Sequence, residues 1–178
     1  MTRDENAVNQ TQAQAHDESV IEEEGAFAWP TVVTVIVTHN PGDWLEECLT
    51  SISAQEYPDL TTLVVDAFSD EDPSARIAKA MPGAFVRKCE KDMNFAEAVN
   101  MAVNSIEGAT YVLICHDDVI LEPNAITEMV EEAFRSNASI VGPKIIDAAV
   151  KDKLLEVGGM IDRFGVPFSG IEPDEVDQ

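Results

Sequence analysis

TVVTVIVTHNPGDWLEECLTSISAQEYPDLTTLVVD, residues 31–66, contains a strand, a helix and a second strand, and that order decides the fold class. TVVTVIVT (31–38) is a β-branched run of strand length, the residue type that suits a pleated surface. DWLEECLTSISAQ (43–55) sets Trp44, Leu45, Cys48, Leu49 and Ile52 along one helical face, with Asp43 as its N-cap. After the Tyr57-Pro58-Asp59 turn, LTTLVVD (60–66) is another strand. Neither strand alternates cleanly between polar and apolar residues. Such runs are buried on both faces, as in parallel sheets.

The same alternation continues outward with a period of about 30 residues. Asp72-Pro73 opens a short helix that runs to Met81, and Pro82-Gly83 stops it. AFVRKC (84–89) is a weaker third strand. NFAEAVNMAVNSI (94–106) has Phe95, Ala98, Val99, Ala102, Val103 and Ile106 at helical spacing, closed by Gly108. ATYVLIC (109–115) is a fourth strand, and Glu122-Pro123 begins a helix to about Arg135, with Pro123 in its first turn. SIVGPKII (139–146) is a fifth strand. The expected architecture is α/β, a mostly parallel twisted sheet with helices on both faces and a Rossmann-like nucleotide-binding half.

Of the 178 residues, 45% are hydrophobic, enough for one core. The net charge is −23, from 34 acidic and 11 basic residues. Residues 1–29 read as an acidic, disordered tail, 30–165 as the folded domain and 166–178 as an acidic, solvating C-terminal segment. The excess of acid argues against naked nucleic acid or anionic lipid as partner, because phosphate contacts need clustered Lys and Arg. No apolar run reaches membrane-spanning length and no signal peptide is visible. Cys48, Cys89 and Cys115 form no C-x-x-C, and Cys48 and Cys115 read as buried thiols in a reducing compartment. A cytoplasmic location is expected.

In doubly wound sheets ligands bind beyond the carboxyl ends of the strands. Polar residues gather there: Thr38, His39 and Asn40 after the first strand, Asp66 after the second, and His116, Asp117 and Asp118 after the fourth. The first turn, THNPGDW, lacks G-x-G-x-x-G, and neither a P-loop nor a G-x-S-x-G elbow is present. A receiver-like domain would want paired acids where His39-Asn40 stands. What remains is a rim with carboxylates and no basic cradle. Carboxylates hold a diphosphate only through a hard cation such as Mg2+ or Mn2+.

The order and spacing of VTVIVTHNPGDWLEECLTSISAQEYPDLTTLVVDAFSDED, NFAEAVNMAV, YVLICHDDVILEPNAITEMV and IVGPKI resemble the family 2 glycosyltransferases of the GT-A fold, over about residues 31–165. The resemblance implies a nucleoside-diphosphate sugar donor, a divalent metal, inversion at the anomeric carbon, and a glycan, polysaccharide or lipid-linked acceptor. Thr38, His39 and Asn40 would line the base pocket, and Asp66 would accept from base or ribose. Asp117 would sit by ribose and diphosphate, and Asp118 would bind the metal. Asn94 joins the nucleotide-binding set from the family's N-x-G-F-A block, written here Asp92-Met93-Asn94-Phe95-Ala96. His116 stands at the motif's first acid, and Ala67 where the family has asparagine. The family's general base comes from a later region, expected beyond Gln178. The chain would then be the front part of a longer enzyme, at the inner face of a membrane if that parent is anchored.

Plainer readings stand beside these. Asp117-Asp118 could be a solvated turn capping the helix at Pro123, and Asp66 a cap for the helix after it. Asn94 could be a helix start, and His116 a spacer, since a hard-cation site prefers oxygen. The whole could be a module that kept the fold and lost catalysis, or a nucleotidyl-transfer enzyme using the same metal logic.

Overall fold

A computed structural model describes residues 28–150, 152–172 and 174–177. The acidic tail expected at 1–29 lies outside these residues except for its last two. The described chain runs β1 (Val32–Thr38), α1 (Trp44–Ser53), β2 (Leu60–Asp66), α2 (Ser74–Ala80), β3 (Phe85–Lys88), α3 (Phe95–Val103), β4 (Tyr111–His116), α4 (Ala125–Ser136) and β5 (Lys144–Ile146). Three short strands follow, β6 (Leu154–Val157), β7 (Met160–Ile161) and β8 (Pro167–Phe168). The main sheet has four strands in the order β3-β2-β1-β4, and every pairing in it is parallel.

Both faces of that sheet are covered. Val32 and Ile36 of β1 and Val64 of β2 pack against Leu45, Cys48, Leu49 and Ile52 of α1, Ile77 of α2, and Ile126 and Val130 of α4. The alternate residues Val35, Val37 and Val65 pack against Ala98 and Ala102 of α3 on the other face. Period-2 strands therefore feed two cores, which is why the runs look continuously apolar. The small residues of α3 let that helix sit close to the sheet. No helix among the described residues is long and apolar enough to cross a membrane.

Several expectations are corrected. The run 139–146 does not add a fifth parallel strand. Gly142-Pro143 interrupts it, and proline has no N–H for a ladder. Only Lys144–Ile146 is strand, paired antiparallel with β6. Pro123 precedes α4 by two residues, and the N–H of Ile126 in the first turn donates to Gln55 Oε1 at 3.1 Å. Asp43 holds the N-cap position of α1 without a side-chain hydrogen bond. Trp44 is 59% exposed, not packed. The acidic C-terminal segment is tied down rather than merely solvated: Lys153 pairs with Asp174 at 3.1 Å, Lys144 with Asp177, and Val176 bridges to Lys153.

Candidate functional site

Parallel register sets the strand ends level. Thr38 pairs with Asp66, Val37 with His116, and Asp66 with Lys88. The residues picked out at the ends of β1, β2 and β4 thus meet along one edge. Cross-links tie that edge together. The Thr38 hydroxyl, fully buried, donates to Asp117 Oδ2 at 2.5 Å, joining β1 to the turn after β4. The Thr38 carbonyl accepts from Ala67 N at 2.8 Å, joining β1 to the turn after β2.

His39 and Asn40 are exposed and bind each other and that same turn. His39 Nδ1 lies 2.9 Å from the Ala67 carbonyl, which can only accept, so Nδ1 carries the proton. His39 Nε2 is then an acceptor, facing Asn40 Nδ2 at 3.2 Å. Asn40, at φ +48°, donates its N–H to Ser69 Oγ and accepts from Asp70 N, both at 2.8 Å. Left-handed backbone suits asparagine. Its amide nitrogen and the His39 ring edge remain at the surface.

Asp66 is 2% exposed, and its Oδ1 accepts from Ser69 N at 2.9 Å. It closes a turn and does not cap α2. Pro73 holds the N-cap position of α2, and Asp72 Oδ1 before it accepts from Ser74 N at 2.9 Å. Neither Asp117 nor Asp118 caps α4. Asp117 is half-buried, while Asp118 is exposed with no hydrogen-bond or ion-pair partner for its side chain among the described residues. Asn94 caps α3: its Oδ1 accepts from Glu97 N at 3.0 Å while Glu97 Oε2 accepts from Asn94 N at 3.1 Å. The His116 ring stacks on Phe95 with centroids 3.9 Å apart and planes inclined by 15°. It is a packing element of the rim.

Two cations near the edge escape a reading of motifs alone. Lys88 ends β3 beside Asp66, yet pairs with Asp72 at 2.6 Å. That hydrogen bond holds the Asp72 carboxyl well below its ordinary range. Arg76 of α2 grips Glu46 with two hydrogen bonds of 2.7 Å and reaches the carbonyls of Pro41 at 2.9 Å and Gly42 at 2.7 Å. It clamps the loop after β1. The rule that sites lie at strand ends, applied to β3, would have found Lys88. Arg76 leaves no such signal. Both cations are already matched by acids, so no free basic cradle arises from them.

Beneath the edge, Cys48 is fully buried and Cys115 half-buried, both free thiols. Their mutual hydrogen bond, and then burial, holds the Cys115 thiol far above its ordinary value, so it stays protonated. Among the described residues no group of three or more His, Cys, Asp or Glu could hold a metal by itself. At the end of β4 the unengaged carboxylate of Asp118 stands next to an anchored one, Asp117. That donor set fits a hard cation sharing its ligands with substrate phosphates. It does not fit a cation caged by protein alone.

A family model described as Glycosyl transferase family 2 matches residues 33–164. S. aureus TarS superposes with a TM-score of 0.52 at 19% identity, over 60% of this chain and 20% of that one. A shorter form of TarS, residues 1–349, solved in complex with UDP-GlcNAc, gives 0.53 at 18% identity, over 71% and 40%. A mannosyltransferase from Pyrobaculum calidifontis, solved with GDP-Man and Mn2+, is 31% identical over 53% of this chain and 29% of that one, with a TM-score of 0.46. The TarS likeness shows a shared fold. The chain spans well under half the length of these solved proteins.

Proposed function

The chain belongs to glycosyl transferase family 2, and from that premise we propose that it is the donor-binding part of an inverting glycosyltransferase. It would take a nucleoside-diphosphate sugar together with Mg2+ or Mn2+ and serve a glycan, polysaccharide or lipid-linked acceptor. The observation that carries this reading is the level edge of strand ends on which Thr38, Asp66 and Asp117 are fixed and Asp118 is left unengaged.

Each residue has a task that its surroundings support. Asp66, nearly buried at a strand end, offers acceptor oxygen to a base or ribose. Asn40 lines the mouth with its amide and His39 with its ring edge. Asp117, held by Thr38, stands at a fixed distance from β1 and faces ribose and diphosphate. Asp118 would hold the divalent cation, which when bound supplies positive charge against a departing diphosphate. No residue is assigned as general base. A second reading, a module that binds without catalysis, is favoured by one observation: His116, which stands at the first acid of the motif, is spent on stacking against Phe95.

Two substitutions test the assignment. Asp118→Asn should weaken metal-linked nucleotide binding at least tenfold with an unchanged melting temperature, since the side chain has no hydrogen-bond or ion-pair partner among the described residues. Asp66→Ala should weaken nucleotide binding with and without metal alike. Wild-type titrations from both variants would refute these assignments.

A further inference from the structure

Among the described residues five non-glycine residues have positive φ, and four of them are asparagine or aspartate. The fifth is Phe68, at φ +77°. Short polar side chains tolerate this region through local hydrogen bonds, but an aromatic residue gains nothing from it and pays in steric strain. Burial does not compensate, because Phe68 is 51% exposed.

The turn leaves Phe68 no freedom to relax. Ala67 before it is held through its N–H on the Thr38 carbonyl and through its own carbonyl on His39 Nδ1. Ser69 after it is held through its N–H on Asp66 Oδ1 and through Oγ by Asn40 N. All four anchors are rim residues at the ends of β1 and β2. A strained residue that persists only because its surroundings over-determine it points to function. Here the strain is held in an exposed aromatic residue on the turn whose neighbours are anchored by Thr38, His39, Asn40 and Asp66.

We infer that Phe68 is an affinity-determining residue whose ring stacks on the donor nucleobase. This rests on the nucleotide-donor reading above. A ring face stacks on any base, so Phe68 supplies affinity while neighbouring hydrogen-bonding groups supply base choice.

The test separates binding from folding. Phe68→Gly relieves the strain, so it should raise the melting temperature by about 3 °C. It should also weaken by about tenfold whichever of UDP, GDP and dTDP the wild type binds in Mn2+, and leave inorganic pyrophosphate unaffected. Phe68→Asn, which also tolerates the turn, should lose the same affinity, and Phe68→Tyr should keep it. Unchanged nucleotide binding in Phe68→Gly, an equal loss for pyrophosphate, or a loss accompanied by a falling melting temperature would each overturn the role of Phe68. A wild type that binds none of the three nucleotides would overturn the donor reading itself.

Discussion

Thr34 lies mid-way along β1, wholly buried, and its hydroxyl has no hydrogen-bond partner among the described residues. A buried unsatisfied hydroxyl costs about 1–3 kcal/mol, and valine has nearly its shape. Thr34→Val should therefore raise unfolding free energy by about 1 kcal/mol in denaturant titrations, leaving nucleotide binding as it was; a loss of stability would mean the hydroxyl has a partner. Thr34 and Thr38 illustrate what sequence could and could not tell at this scale. Both are threonines on the same strand. Thr38 was legible as a strand-end residue because it closes the apolar run. That its hydroxyl would spend itself on Asp117, seventy-nine positions away, depends on tertiary register that no local pattern carries. Phe68 was equally silent, because a left-handed turn position is written as glycine or asparagine in most sequences and here is written as phenylalanine.

Among the elements, β1, α1, β2, α2, α3 and β4 were readable because each has strong periodicity between clear stops. Trp44 and 139–146 were not. Trp44 shares its face with Cys48 by spacing, but it is the first residue of α1 and stays exposed while Leu45 beside it enters the core. At 139–146 apolar content outweighed the Gly-Pro interruption in the reading, whereas in the fold the missing N–H decided. The α2 clamp yields an expectation of its own. Hydrogen bonding to Arg76 holds the Glu46 carboxyl below its ordinary value. A depressed carboxylate contributes stability above its unfolded pKa and loses it as pH falls through the folded one. Arg76→Met should thus melt lower than wild type at neutral pH, with the gap closing as pH falls below the ordinary glutamate range. Both partners are substantially exposed, so the gap should be small. Its larger effect should be on nucleotide affinity, through the freed carbonyls of Pro41 and Gly42. A pH-independent gap would show that Arg76 acts by packing.

Across the whole molecule, a net charge of −23 would face the proposed donor, itself an anion. Long-range repulsion should slow encounter at low salt and ease as ionic strength screens it. In the proposed function, a cation at Asp118 would be the physical means by which so acidic a chain retains a diphosphate. Isothermal titration of UDP, GDP and dTDP into the chain, each in Mn2+ and again in chelator at matched ionic strength, measures this dependence. At least one nucleotide should bind in Mn2+ and weaken tenfold or more in chelator. Equal affinity in the two buffers, or no binding in either, would contradict metal-assisted donor binding at this strand edge.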